Sequence, residues 1–106
     1  MGVRVSAGEI EELLFASGLA SEVAVFGMPH ELRGQEVWAA VVASAPGQDV
    51  KRELERYARP LMSQHMLPRR WLLLPALPRT SNGKIDYPAL NAAAAPLAAA
   101  QLTART

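Results

Sequence analysis

Apolar residues recur along the first half of this chain with two different spacings, and each spacing predicts an element. Ile10, Leu13 and Leu14 stand three and four apart among Glu9, Glu11 and Glu12, the pattern of one face of a helix. Ser6-Ala7-Gly8-Glu9 precedes them as a capping box, in which the serine hydroxyl accepts from the backbone three residues on and Glu9 reaches back. Gly18 is placed to close that helix in a left-handed conformation. Helical spacing then gives way to residues 21–28 (SEVAVFGM) and 35–44 (QEVWAAVVAS), rich in Val, Phe and Trp, with residues 29–34 as the turn between them. The second run is almost wholly apolar, which predicts a central strand.

After Ala45-Pro46-Gly47, Asp49 is placed to cap a second helix whose Val50, Leu54, Tyr57 and Leu61 fall at i, i+4, i+7 and i+11. Pro60 should end or kink it, because proline removes a backbone donor and crowds the preceding turn. Residues 71–74 (WLLL) form a short strand, Pro75 and Pro78 punctuate the next few residues, and Tyr87-Pro88-Ala89-Leu90 opens a last helix with proline in its first turn. The expected fold class is α+β: a small sheet of about three strands with two or three packed helices. A folded domain over residues 1–95 and an Ala-rich tail over residues 96–106 complete the outline, and the stretch from Asn91 to Thr106, mostly alanine with Pro96 inside it, is either a short peripheral helix or frayed.

Composition narrows the function more by exclusion than by selection. Eleven basic and ten acidic side chains leave a net charge of +1, too balanced to point to nucleic acid or an anionic membrane. Without a cysteine there is no thiolate nucleophile or Cys-based metal site, and two isolated histidines suggest no metal centre. No signal-peptide pattern opens the chain and no apolar run approaches ~20 residues, so a cytoplasmic protein is expected.

Chemistry concentrates in residues 77–86, LPRTSNGKID, where Lys84 follows an Asn-Gly pair. Asn-Gly is the commonest two-residue hairpin turn, so a solvated turn lysine is one reading and a positioned cation the other. A phosphate-binding P-loop is excluded: it needs glycine five positions before Gly83 and Ser or Thr after Lys84, where Pro78 and Ile85 stand.

Three segments in order tilt this choice. GVRVSAGEIEELL resembles the G-[FY]-R-V-S-x-x-E-I-E-x-x-L segment that opens the C-terminal domain of AMP-forming acyl-CoA synthetases, peptide-synthetase adenylation domains and luciferases. VAVFGMPHELRGQEVWAAVV is similar to their paired strands and G-x-P-[DH] turn, and HMLPRRWLLLPALPRTSNGKIDYPAL to their Met-Pro segment and closing L-P-[RK]-T-x-x-G-K-I-D-R-x-x-L motif. The resemblance implies a small lid domain in two-step chemistry: a carboxylate attacks the α-phosphate of ATP, and a thiol then displaces AMP. It assigns Lys84 to the first step, where a compact ammonium offsets charge gathering on the phosphate oxygens. Asn82 and Gly83 would support the loop, glycine by allowing a positive φ.

Gly2, Val3 and Arg4 resemble the loop that admits the CoA or pantetheine thiol in the second step, Arg4 contacting a phosphate or else lying exposed. The weaker candidates are His30 (turn hydrogen bond), His65 (structural or peripheral), Trp38 (core), and Arg69 with Arg70 (a CoA phosphate, a carrier protein, or solvent). No cofactor is expected on this domain alone; ATP, Mg and CoA are implied for the complete enzyme, and the implied partner is a large N-terminal adenylate-forming domain. The family's hinge residue and ribose-holding Arg fall before residue 1, so an excised domain, a proteolytic remnant, or a stand-alone piece working with a separate large subunit is expected, inactive by itself. Tyr87 replaces the Arg or Lys usual after Ile-Asp, removing a charge beside the lysine loop. A peptide-synthetase adenylation fragment and a non-catalytic interaction module of the same fold are the alternatives.

Overall fold

The computed structural model describes residues 7–30, 34–45, 47 and 49–105. Along them run α1 (Ala7–Phe15), β1 (Ala20–His30), β2 (Gly34–Ala43), α2 (Val50–Ala58), β3 (Arg70–Leu73) and α3 (Tyr87–Arg105). The α+β expectation holds, with three helices on one three-stranded sheet ordered β1-β2-β3. Strands β1 and β2 form an antiparallel pair, Phe26 facing Trp38 and His30 facing Gly34. β3 joins the other edge of β2 in parallel, from Trp38 against Arg70 to Val41 against Leu73. Parallel neighbours cannot be joined by a tight turn; α2 lies in the crossover.

Alternation along the strands sorts the core into two layers. Val23, Val25, Ala39, Val41 and Trp71 pack with Ile10 and Leu14 of α1 and Val50, Leu54 and Ala58 of α2. On the opposite face Ala24, Phe26, Met28, Trp38, Ala40 and Leu72 pack with Leu77, Leu90 and Ala94. Strand β2 is therefore covered on both sides, which accounts for its nearly continuous apolar sequence.

The first helix ends as its sequence implies, with Gly18 at φ +75°; Ser6, its expected cap, lies outside the described residues. Asp49 caps α2, its carboxylate accepting from Arg52 N at 3.3 Å. The expected stripe on α2 needs correction. Val50 and Leu54 are buried, but the inward positions continue through Ala58 and Met62, while Leu61 is 49% exposed. Helix α2 stops before Pro60, so Leu61 no longer follows the helical phase. Helix α3 starts on Asp86, whose Oδ1 accepts from Ala89 N at 3.1 Å, and continues past Pro96 to Arg105.

Candidate functional site

Lys84 sits on a short hairpin between β3 and α3, on the sheet face that packs against α3. Arg79 and Ile85 form an antiparallel bridge. Thr80 N donates to Lys84 O at 2.7 Å and Gly83 N to Thr80 O at 2.9 Å. Lys84 N reaches Thr80 Oγ1 at 3.3 Å. A two-residue Asn82-Gly83 turn is not what forms. The favoured turn for that pair requires positive φ at both residues, whereas among the described residues positive φ is confined to glycines. The turn spans Thr80 to Gly83 around Ser81 and Asn82, and Gly83 at φ +84° follows as the left-handed residue returning the chain into register. Nothing lies within 4 Å of where a Gly83 side chain would begin, so glycine is needed for its torsion rather than for space.

The base of this hairpin is anchored at several points. Asp86 N donates to Pro78 O at 2.9 Å, Leu77 and Leu90 are buried, and Ile85 packs on the same cluster. Arg79 spreads its fork between two acceptors, Nη1 to Gly83 O at 3.0 Å and Nη2 to Glu22 Oε1 at 2.8 Å. Tyr87 donates its phenolic hydrogen to Glu11 Oε2 at 2.5 Å, and the same oxygen accepts from Val25 N on the outer edge of β1 at 2.8 Å. Burial, then the hydrogen bond to Glu11 and its negative charge, push the Tyr87 hydroxyl up from 10.0 to about 12. At the tip, Asn82, Gly83 and Lys84 are exposed. The Lys84 ammonium pairs with no carboxylate among the described residues. A cation so placed, free to swing on a braced backbone, can approach a phosphate brought to it.

The remaining candidates are scattered. Gly2, Val3 and Arg4 lie outside the described residues, as does the side chain of His30. His65 and Arg69 are exposed and line a hollow of about 410 Å³ with Gln35, Glu36, Gln64 and others, to which no hairpin residue contributes. Arg70 instead stacks over the Trp38 ring, its guanidinium 5.5 Å from the centroid. Trp38 is a core residue, 1% exposed, with its indole nitrogen donating to Glu36 at 3.0 Å. No three His, Asp or Glu side chains converge among the described residues. Sequence reasoning missed Glu11, Glu22 and Arg79 as supports of the lysine. Only Arg79 carried a signal, by standing inside the LPRTSNGKID motif.

A family model described as the AMP-binding enzyme C-terminal domain matches residues 9–84, ending on the lysine of the hairpin. The chain belongs to this family. Among curated relatives of this C-terminal domain, it is 36% identical over 87 residues to an acetyl-coenzyme A synthetase of Bradyrhizobium diazoefficiens. It is 37% identical over 89 residues to the mitochondrial malonate–CoA ligase ACSF3 of Homo sapiens. These alignments cover 79% and 84% of this chain but 13% and 16% of the relatives. The AMP-binding enzyme C-terminal domain fold recurs in apo MatB from Rhodopseudomonas palustris, with a TM-score of 0.83 and 25% identity over 92% of this chain and 19% of that one. A Mycobacterium tuberculosis fatty acyl CoA synthetase gives 0.74 and 31% over 85% of this chain and 18% of its own.

Proposed function

We propose that this chain acts as the small C-terminal lid of an ATP-dependent, AMP-forming acid–thiol ligase of the acyl-CoA synthetase type, with Lys84 its adenylation cation. The observation that carries this reading is the exposed Lys84, unpaired among the described residues, on a hairpin braced to the sheet edge. A carboxylate approaching the α-phosphate of ATP meets like charge, and negative charge grows on the phosphate oxygens as the bond to pyrophosphate breaks. An ammonium brought there on a braced hairpin lowers that barrier, and only its own flexible stem has to be ordered as it meets the phosphate. Lysine suits a site that must be visited and then left, since it is a point charge on a flexible stem rather than a planar clamp.

ATP and Mg would be held mainly by a large N-terminal domain, the partner in this reading, working in the cytoplasm. This chain would bring the cation for the first step and, through Gly2, Val3 and Arg4, line the approach of the CoA or pantetheine thiol in the second. The donor chemistry of Lys84 fits a phosphate oxygen. By itself the domain is expected to make no acyl-adenylate.

The test is complementation. The 106-residue chain is mixed with, or fused to, the large domain of a related acyl-CoA synthetase lacking its own small domain, and acyl-AMP formation is followed by pyrophosphate release. Rescue that disappears with Lys84→Ala supports the proposal. Normal binding without rescue by any related large domain would favour a non-catalytic interaction module.

A further inference from the structure

We propose that Tyr87, acting through Glu11, is a positioning residue that sets how the Lys84 hairpin stands on the rest of the domain. Tyr87 lies three residues after Lys84, and little slack separates them. Ile85 is bridged to Arg79, Asp86 is tied by its N–H to Pro78 O and by its carboxylate to the start of α3, and the Tyr87 ring packs against the core layer under α3. A displacement at the Tyr87 hydroxyl is therefore carried into the base of the hairpin rather than absorbed on the way.

That hydroxyl ends on an oxygen with a second task. Glu11 Oε2 holds both Tyr87 O–H and Val25 N–H, so one carboxylate joins α1, the outer edge of β1 and the beginning of α3. Helix α1 and helix α3 pack on opposite faces of the sheet, and the contact closes around the strand edge between them. The other brace, Arg79 to Glu22, ends on the same strand three residues away. Between them the two braces fix the hairpin to β1 residues 22–25. A hydroxyl donor serves here where a bare apolar ring would leave Glu11 short of a partner.

The proposal rests on the adenylation reading of Lys84 only for its functional consequence; its geometry is tested on the 106-residue chain alone. Amide hydrogen exchange is measured for the wild type, Tyr87→Phe, Glu11→Gln and Glu11→Ala. Tyr87→Phe removes one oxygen and keeps the ring, and it is expected to lower protection of the Thr80, Gly83 and Asp86 amides about tenfold while leaving Leu54 and Ala58 in α2 unchanged. Glu11→Gln retains an oxygen acceptor and is expected to keep most of that protection; Glu11→Ala should lose it and expose the Val25 amide as well. Were Glu11→Ala too unstable to fold, the other two variants decide the question. Unchanged hairpin protection in Tyr87→Phe, or an equal fall in α2, overturns the proposal. Loss of hairpin order in Tyr87→Phe, together with an adenylation rate indifferent to Lys84→Ala, would uphold the positioning role and refute the catalytic one.

Discussion

Arg79 joins the hairpin tip to the sheet, holding Gly83 O with one guanidinium nitrogen and Glu22 with the other, at 3.0 and 2.8 Å. The pair with Glu22 is partly exposed, at 44% and 32% of the two side chains, so its worth to global stability is small, below about 1 kcal/mol. Its geometric effect is larger. Lysine at position 79 would keep the charge but lose the fork that reaches two acceptors at once. Arg79→Lys is therefore expected to leave the denaturation midpoint nearly unchanged while lowering NMR order parameters at Gly83 and Lys84. A loss of several kcal/mol, or an undisturbed tip, would show that the brace has been misread.

Gly83 tests the turn. At φ +84° an L side chain costs about 1–2 kcal/mol, with no clash to add to it. Gly83→Ala is expected to destabilise the hairpin by that amount, read as faster exchange at the Thr80 and Gly83 amides, and Gly83→Asn by less, because asparagine tolerates this conformation better. Equal tolerance of alanine and glycine would mean that the turn is not the one described.

Tyr87 gives a dependence on pH. Its hydroxyl is pushed from 10.0 in an ordinary environment to about 12 in the fold, so the folded state holds this proton more tightly than the unfolded chain. The associated stability is complete below pH 10 and drains away as pH rises from about 10 through about 12. Solvent reaches much of the group, so the effect is modest. In urea titrations the advantage of wild type over Tyr87→Phe is expected to shrink across that window, and a spectroscopic tyrosinate titration should lose its late phase in the variant. An advantage that grows with pH would contradict the assignment.

Helix α2 separates two leucines that sequence spacing treats alike. Leu54 is fully buried and Leu61 is 49% exposed. Leu54→Ala should cost about 2–5 kcal/mol by emptying a packed site, and Leu61→Ala at most about 0.5 kcal/mol, both measured by denaturant unfolding.

Those leucines also mark where the sequence stops being a sufficient guide. Helix α1, the two long strands and the cap at Asp49 were legible because period, cap and glycine agreed. Leu61 was misplaced because Pro60 ends the helix, after which a spacing of eleven has no helical meaning. The Asn-Gly pair suggested the tightest hairpin, but the bonds Thr80 makes with Gly83 and Lys84 add one residue to the loop. Pro96 did not end α3: its missing N–H deprives only the carbonyl of Ala92, an exposed residue whose C=O can be met by water. Glu11 and Tyr87, 76 residues apart, meet only once the sheet has brought α1 and α3 to one strand edge. The exposed place of Lys84 on a hairpin was readable from its motif; what holds that hairpin in place was not.

The most direct measurement is the effect of Lys84→Ala on the two half-reactions, with this domain joined to a cognate large domain. Acyl-AMP formation is expected to fall on the order of a hundredfold to a thousandfold, while transfer of a preformed acyl-adenylate to the thiol changes much less. Equal losses in both steps, or none in the first, would contradict the assignment of Lys84 as the adenylation cation.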